Sequence, residues 1–468
     1  MDDRIPHLIL HDALLIGVCL FLAGSWLLGL SQTMNQLIAF RALQGLGAGG
    51  IFPVALATVG DLFDARERGK YQGLFGATFG LSFLLGPFIG GWFTEHISWH
   101  WIFYVNIPVG AAALVALARL LPNRRLEAAR ARDLDYFGII LFVAAAVPLL
   151  IGLTQKGEVD ASTGLPYGWD SPGVAGPIAA SAVLLLLFIL VEARAKHPII
   201  PLDLFRNRDY SLSMAASLVF GISVVSAALF MPRFYQTVRG ISATASGYYI
   251  WPLFVGMMGS SAGCGVLISR TGLYKWLFSG SAVILLVGGY LMTGLTVSTP
   301  DWALWPWMLM LGVGVGPGVA GFTVVVQSLV PPHRIGVATG TLTVVRQLGI
   351  VVGLAITGTL FATTFQSRLG PSLASAGVPP ALTSALSQYS VALQSVGNGS
   401  GLLQRVLPAA ERHLLPQIVA GANAAFTDAI AATFWITIAT GTAALLLTFA
   451  LRNSELRHDK LAGSGKCS

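Results

Sequence analysis

Charged residues are scarce in this sequence. Of its 468 residues, 10% are Asp, Glu, Lys or Arg and 54% are hydrophobic, and the mean hydropathy is +0.72. A soluble domain has about 25% charged residues, so this chain cannot cover a water-exposed surface of ordinary size. The same composition excludes intrinsic disorder, which needs high charge and low hydrophobicity. It therefore predicts a protein that is solvated largely by lipid.

Cysteine is also rare. The chain has three, of which Cys19 and Cys264 fall in apolar stretches and Cys467 lies in the tail. Their spacing fits neither a disulfide framework nor a metal site. We therefore expect no bound metal and no other cofactor.

Long hydrophobic runs are abundant by contrast. A bilayer core needs about 20 mostly apolar residues per helix, and twelve stretches of the sequence have this length. They lack the alternation typical of barrel strands, so the sequence predicts an all-α multi-pass membrane protein. The predicted spans lie at about 9–30, 36–60, 71–93, 101–121, 135–154, 173–192, 210–231, 246–268, 276–296, 303–329, 336–364 and 426–451.

Lys and Arg are distributed unevenly between alternate loops. If the N-terminus is cytoplasmic, 19 of the 28 basic residues fall in cytoplasmic segments and 6 in outer segments. Basic residues prefer the cytoplasmic side, which predicts a cell-membrane protein with both termini in the cytoplasm. This asymmetry accounts for the formal charge of +7, so no nucleic-acid partner is expected.

Glycine spacing repeats at an offset of 267 residues. Chance placement in the two windows gives about 2.6 coincidences, and seven occur. The pairs are Gly45 with Gly312, Gly47 with Gly314, Gly49 with Gly316, Gly69 with Gly336, Gly73 with Gly340, Gly86 with Gly353, and Gly91 with Gly358. Both windows cover two spans and a basic loop, which indicates a parallel repeat of the kind found in two-halved transporters.

The repeat also predicts which helices are present. Spans 303–329 and 336–364 are the fourth and fifth of a six-helix half, whereas their counterparts are only the second and third of the chain. We therefore expect two further helices in a complete N-terminal half, and fourteen spans in all. The predicted domains are 1–121 (incomplete N-terminal half), 122–208 (inserted helix pair and linkers), 209–451 (C-terminal half, with an outer loop at about 365–425) and 452–468 (cytoplasmic tail).

Span two reads FRALQGLGAGGIFP, with Arg41 inside the apolar run. An arginine at mid-bilayer costs about 2.5–3.5 kcal/mol on insertion scales, so Arg41 should face protein or water. Two interpretations stay open: an interfacial Arg that snorkels, or an Arg that lines a translocation path together with Gln44.

Span three contains GATFGLSFLLGPFIGGW. Pro87 removes a backbone hydrogen bond and bends the helix, while Gly86, Gly90 and Gly91 flatten one face beside the bend. A kinked, tightly packed helix without a specific role is the alternative interpretation.

These motifs resemble a known family. RALQGLGAGG and GLSFLLGPFIGG are similar to two motifs of the major facilitator superfamily, the second typical of its antiporters. EARAKHPIIPLDLFRNRDYS, MPRFYQTVRGISATASGYYIWP and PPHRIGVATGTLTVVRQLGIVVG resemble its EmrB/QacA-type drug:proton antiporter branch, and the likeness runs from about residue 12 to 452.

The resemblance implies a major facilitator fold with two pseudo-symmetric halves and an inserted helix pair. It also implies export of an amphiphilic or cationic small molecule in exchange for protons, by alternating access. By the same likeness, Arg41 lies near the substrate and proton path. The antiporter bend would consist of Gly86, Pro87, Gly90 and Gly91, and the second-half gating loop of Gly265, Arg270, Gly272 and Lys275.

Several deep polar residues have two possible roles. Arg346 lies about ten residues into its span, so a cavity-facing or ion-paired role is favoured over snorkelling. Gln327 fits interhelical hydrogen bonding and substrate contact equally well. Tyr235, Tyr249 and Trp251 lie near the outer boundary of the membrane. Aromatic residues at this depth usually belong to the interfacial belt, and drug binding is the alternative interpretation.

The 21 acidic residues all fall in loops or at span ends. A proton-coupled exporter needs a group that changes protonation inside the membrane, so we expect the coupling acid outside this sequence. The loop at 365–425 contains two stretches with helical apolar spacing, which fit interfacial helices; a periplasmic or adaptor partner has no support in the sequence.

Two other classes of function stay open. A lipid-modifying membrane enzyme needs convergent nucleophiles, acid pairs or metal ligands, and we find none, so no catalytic residue is assigned. A membrane sensor or a truncated, non-transporting fragment is the second alternative, because two helices are expected to be missing.

Overall fold

A computed structural model describes residues 8–62, 78, 81–82, 85–120, 136–156, 167–195, 200, 202–271, 274–331, 334–388 and 413–452. Every regular element among them is a helix. The chain divides into two compact units. Unit 1 comprises Met1–Asp135 and Ala243–Tyr248, and unit 2 comprises Tyr136–Ser242 and Tyr249–Ser468.

The helices of unit 1 come mostly from the first quarter of the chain. They are α1 (Leu8–Gly29), α2 (Met34–Leu62), α3 (85–96), α4 (Trp101–Tyr104), α5 (Asn106–Leu120) and α9 (Ala243–Tyr249), whose residues up to Tyr248 belong to this unit.

Unit 2 holds the remaining helices. They are α6 (Tyr136–Lys156), α7 (Pro172–Glu192), a 3₁₀ helix (Leu202–Arg206), α8 (Arg208–Thr237), α10 (Trp251–Thr271), α11 (Tyr274–Thr293), α12 (Asp301–Leu329), α13 (Ile335–Ser375), α14 (Pro380–Gln388) and α15 (Leu415–Phe449).

Nine helices among the described residues are long and apolar enough to cross a membrane. They are Trp101–Leu120, Phe137–Lys156, Pro172–Glu192, Arg208–Thr237, Trp251–Ile268, Tyr274–Thr293, Asp301–Leu329, Ile335–Ser375 and Leu415–Phe449. The predicted all-α, multi-pass class is thereby confirmed. The count of twelve stays a prediction, and the stretch 71–93 lies partly outside the described residues.

Glycines set the helix packing of both units. In unit 2, a Cβ added at Gly312 would lie 2.0 Å from the carbonyl oxygen of Leu253, and one at Gly349 would lie 2.2 Å from that of Leu218. Real Cβ atoms do not approach oxygen this closely, so only glycine lets α12 contact α10 and α13 contact α8. Small residues that permit close backbone approach are typical of helix interfaces in lipid.

Helices α13 and α15 extend about ten residues beyond the spans that hydropathy predicts. With 41 residues, α13 extends to Ser375 rather than ending near 364, and at 1.5 Å per residue it is about 60 Å long. The hydrocarbon core is about 30 Å thick. The extension packs on the early turns of α15: the Phe365 and Phe426 ring centroids lie 6.1 Å apart, and a Cβ added at Gly421 would lie 2.9 Å from the Cα of Leu373.

Polar contacts join the segments at one end of unit 2. Asn207 caps α8 by accepting from the backbone N–H of Asp209 at 3.0 Å, and Asp209 accepts from the N–H of Arg452 at 3.3 Å. The Arg334 guanidinium, just before α13, donates to the Asp203 carboxylate. This hydrogen bond is the main cause that lowers the pKa of Asp203 below its usual value.

Candidate functional site

Four polar side chains of unit 1 form one hydrogen-bonded chain between α1, α2 and α5. Nη1 of Arg41 donates to Oε1 of Gln44 at 3.3 Å, and Nε2 of Gln44 donates to the Ser25 hydroxyl oxygen at 2.7 Å. Nδ2 of Asn106 donates to the same oxygen at 3.4 Å. We call these four residues the Arg41 network.

Two residues of this network are buried. Ser25 is fully buried and Gln44 is 6% exposed, whereas Arg41 is exposed. A buried amide or hydroxyl without a partner costs about 1–3 kcal/mol. The hydrogen bonds satisfy Gln44 at both ends of its amide, so this polar chain is tolerated between apolar helices.

The Arg41 guanidinium also lies over an aromatic ring. The Cζ atom of Arg41 lies 4.7 Å from the centroid of the Phe103 ring on α4, which is buried. A cation over an aromatic face gains about 0.5–2 kcal/mol, depending on its desolvation. Arg41 is therefore positioned by Gln44 and Phe103, and its five N–H donors exceed what Gln44 accepts.

Sequence reasoning missed half of this network. Arg41 and Gln44 were predicted together, and their contact follows from i, i+3 spacing on a helix. Ser25 and Asn106 were not singled out. Each is a polar residue inside an otherwise apolar run, and that signal could have marked them.

The predicted path residues of the other half lie in unit 2. Gln327 on α12 donates through Nε2 to the Thr339 hydroxyl on α13 at 3.2 Å, so it makes the interhelical bond that was one of its two interpretations. Arg346 is a half-buried residue of α13. Its backbone lies against α8, since a Cβ at Gly221 would be 2.6 Å from its carbonyl oxygen.

The predicted antiporter bend lies on α3. A Cβ at Gly91 would be 2.9 Å from the backbone of Ala243, and one at Gly247 would be 3.2 Å from the carbonyl carbon of Pro87. Gly86 and Gly90 have no described atom within 4 Å of such a Cβ. Two of the four motif residues thus contact α9.

Three of the four predicted gating residues lie on α10 and α11. Gly265 and Arg270 belong to α10 and Lys275 to α11, while Gly272 lies outside the described residues. The ammonium nitrogen of Lys275 lies 5.4 Å from the ring centroid of Phe449 on α15. The described residues include no group of three or more His, Cys, Asp or Glu that could hold a metal ion.

Tyr235 is not a membrane-belt residue. Its side chain is fully buried in the core of unit 2, and its ring packs on Tyr249 at 4.6 Å between centroids. Belt residues face the membrane interface, so Tyr235 has a packing role instead.

Comparison with known proteins agrees with this architecture. The sequence profile of the Major Facilitator Superfamily matches residues 11–354. An MFS-type transporter of Mycobacterium tuberculosis is 36% identical over 383 residues, which are 81% of this chain and 54% of that protein. The chain thus spans about half the length of this relative.

Two relatives come from Bacillus subtilis (strain 168). Multidrug resistance protein 3 is 35% identical over 76% of this chain and 67% of its own length. Multidrug transporter protein MdtP is 32% identical over 86% of this chain and 74% of its own length. Among solved structures, an inward-facing bacterial homolog of the human lysosomal transporter Spinster has a TM-score of 0.50. It is 15% identical and covers 94% of this chain and 83% of that one, which shows likeness of fold alone.

The family profile covers most of the chain, and the relatives carry transporter names. Both findings agree with the helical, multi-pass architecture of the described residues. The chain belongs to the Major Facilitator Superfamily.

Proposed function

We propose that this chain is the main part of a proton-coupled exporter of amphiphilic or cationic small molecules. Transport would proceed by alternating access, in which two halves rock around a central site. The names of the Bacillus subtilis relatives support multidrug export. The observation that carries the proposal is the Arg41 network.

The network fits a role in proton coupling. The Arg41 guanidinium carries a fixed positive charge, because an arginine side chain is not deprotonated in proteins. A fixed positive charge favours the ionised form of a nearby carboxylate and lowers its pKa. Arg41 would therefore set when a carboxylate on the transport path takes up or releases its proton, and Gln44 and Phe103 would fix the distance.

We further propose the fourteen-span branch, in which unit 1 includes two more helices. One pair of repeat-related glycines supports the repeat itself. A Cβ at Gly47 would lie 2.3 Å from the backbone nitrogen of Phe21 on α1, and one at Gly314 would lie 2.7 Å from that of Leu285 on α11. The two glycines thus make the same contact in the two units.

The neighbouring glycine pairs differ between the units. Cβ atoms at Gly312 and Gly316 would lie within 2.4 Å of backbone oxygens of α10. At their counterparts Gly45 and Gly49, no described atom lies within 4 Å of such a Cβ. Close backbone contact is the usual reason for glycine on one helix face in lipid, so this face of α2 suits a helix equivalent to α10.

A third comparison concerns the helix equivalent to α8. A Cβ at Gly353 would lie 2.9 Å from the Cα of Ile222 on α8, whereas Gly86 has no described atom within that reach. Gly45, Gly49 and Gly86 together therefore support two further helices in unit 1. We infer that the carboxylate paired with Arg41 lies on one of them.

Efflux of a cationic dye from proteoliposomes tests this function. The chain is compared with a version that carries two additional membrane-spanning helices at its N-terminus. We expect ethidium efflux only from the extended version, driven by an imposed proton gradient and stopped by a protonophore. Equal efflux from both versions would show that the two additional helices are not required for transport. Efflux that does not depend on the proton gradient would overturn the antiport mechanism.

A further inference from the structure

A carboxylate near the end of α3 holds the start of α9. Oε1 of Glu95 accepts from the backbone N–H of Thr244 at 2.9 Å, and Oε2 accepts from the Thr244 hydroxyl. Both oxygens are thus engaged by one residue that lies 149 positions further along the chain. Hydrogen bonds to an ionised acceptor are roughly twice as strong as bonds between neutral groups.

The two helix backbones meet beside this carboxylate. Gly91 lies four residues before Glu95, so the two share one face of α3. A Cβ at Gly91 would be 2.9 Å from the Ala243 carbonyl oxygen, and the Phe88 and Tyr248 rings pack 4.8 Å apart. The glycine contact allows close approach, and Glu95 fixes which residue of α9 occupies it.

Glu95 is exposed, while Thr244 is half-buried. Water can therefore replace both hydrogen bonds when they break, so the net cost of opening is small. Helix α9 ends at Tyr249 and α10 begins at Trp251. Only Ile250 separates the two helices, so a displacement of α9 would act through the backbone on the start of a membrane-spanning helix.

We propose that Glu95 is a positioning residue of the transport cycle, which holds α9 on the glycine face of α3 in one state and releases it in another. This inference rests on the proposed export function. It assigns to Glu95 and Thr244 a reversible contact that is made and broken once per cycle.

Four variants test the contact. Glu95→Gln keeps the size of the side chain but removes the charge and one acceptor. Thr244→Val removes the hydroxyl and keeps the backbone N–H, whereas Thr244→Ser keeps both. Thr94→Val is the matched control, because the Thr94 hydroxyl donates only to the Gly90 carbonyl of its own helix at 2.7 Å.

Cross-linking reports on the contact without transport. In a background with Cys19, Cys264 and Cys467 replaced, Phe88→Cys and Tyr248→Cys are joined by a short thiol-reactive linker. Loss of a charge-assisted hydrogen bond should slow cross-linking about fivefold in Glu95→Gln and Thr244→Val. Thr244→Ser and Thr94→Val should cross-link at the original rate.

Dye efflux reports on the transport cycle. It is measured in the version that carries the two additional helices, without the cross-linking cysteines. We expect the maximal rate per inserted molecule to change at least threefold in Glu95→Gln and Thr244→Val, with the amount of inserted protein unchanged. Thr244→Ser should restore the original rate. The double variant should show no further change, because both single changes break the same contact.

The outcomes separate the two proposals. Equal cross-linking of all variants, or altered cross-linking with unaltered efflux, overturns the role of Glu95 and leaves the export function standing. Absence of efflux from every version, with the cross-linking order as expected, overturns the export function instead.

Discussion

At the scale of single residues, the main finding is that Arg41 is held in place. Gln44 lies one turn away on the same helix, so their contact is local. Ser25 and Asn106 come from α1 and α5, and they meet only because the three helices pack. Phe103 covers the guanidinium from α4. An arginine that only anchored the helix at the membrane interface would not need buried hydrogen-bonding side chains next to its guanidinium.

Transport should depend on this positioning. Arg41→Ala is expected to abolish dye efflux, because the charge is lost, and Gln44→Leu to lower the rate about tenfold, the effect of losing one to two hydrogen bonds. Efflux is measured per inserted molecule, with the amount of inserted protein determined by quantitative immunoblotting. Lys156→Gln is the control, since its ammonium lies over Trp169 in unit 2 at 5.5 Å.

An unchanged efflux rate in Arg41→Ala would identify Arg41 as an interfacial anchor. A rate that falls in Arg41→Ala but not in Gln44→Leu would show that the charge matters and its positioning by Gln44 does not.

At the scale of helices, glycine faces decide which neighbours can pack. The glycines of α12 contact α10 and α11, and those of α13 contact α8. Their repeat-related counterparts on α2 contact α1 at Gly47 and no described helix at Gly45 or Gly49. The glycine pattern on α12 thus packs against described helices of unit 2. The matching pattern on α2 of unit 1 leaves a face on which a further helix could pack.

Bulky substitutions should reveal that face. Gly312→Leu should destabilise unit 2 strongly, because a side chain would clash with the α10 backbone. Gly45→Leu should be harmless in the 468-residue chain and disruptive in the version that carries two further helices. Resistance to unfolding by heat in detergent, followed by size-exclusion chromatography, measures both effects.

Ala48→Leu on the same turns of α2 is the control, because Ala48 already carries a Cβ and therefore marks no position that requires glycine. Equal stability of Gly45→Leu and the parent in the extended version would show that no helix packs on Gly45.

At the scale of the whole molecule, orientation in the membrane remains a prediction from the distribution of Lys and Arg. The loop between α11 and α12 is expected outside and the loop between α12 and α13 inside. In a cysteine-free background, Ser298→Cys should react with a membrane-impermeant maleimide in intact cells. Pro331→Cys should react only after the membrane is permeabilised; both positions are exposed. The opposite labelling would place both termini outside the cytoplasm.

The two long helices show where sequence reasoning about the whole chain fell short. Hydropathy placed the end of one span near 364 and the start of the last near 426, where polar residues become frequent. The structure continues these helices to Ser375 and from Leu415. In the parts that hydropathy leaves out, the two helices pack on each other: a Cβ added at Gly421 on α15 would lie 2.9 Å from the Cα of Leu373 on α13. A window that scores lipid solubility cannot detect a helix that is buried by protein.

Composition and spacing by themselves determined the membrane setting, the helical class and the local pair of Arg41 and Gln44. These properties depend on how much apolar length a helix needs and on which residues share a helix face. Only the tertiary structure decided that Ser25 and Asn106 complete the Arg41 network and that Glu95 holds Thr244. Those partners lie 19 to 149 positions apart, and hydrogen bonds are short-ranged, so helix packing alone brings them together.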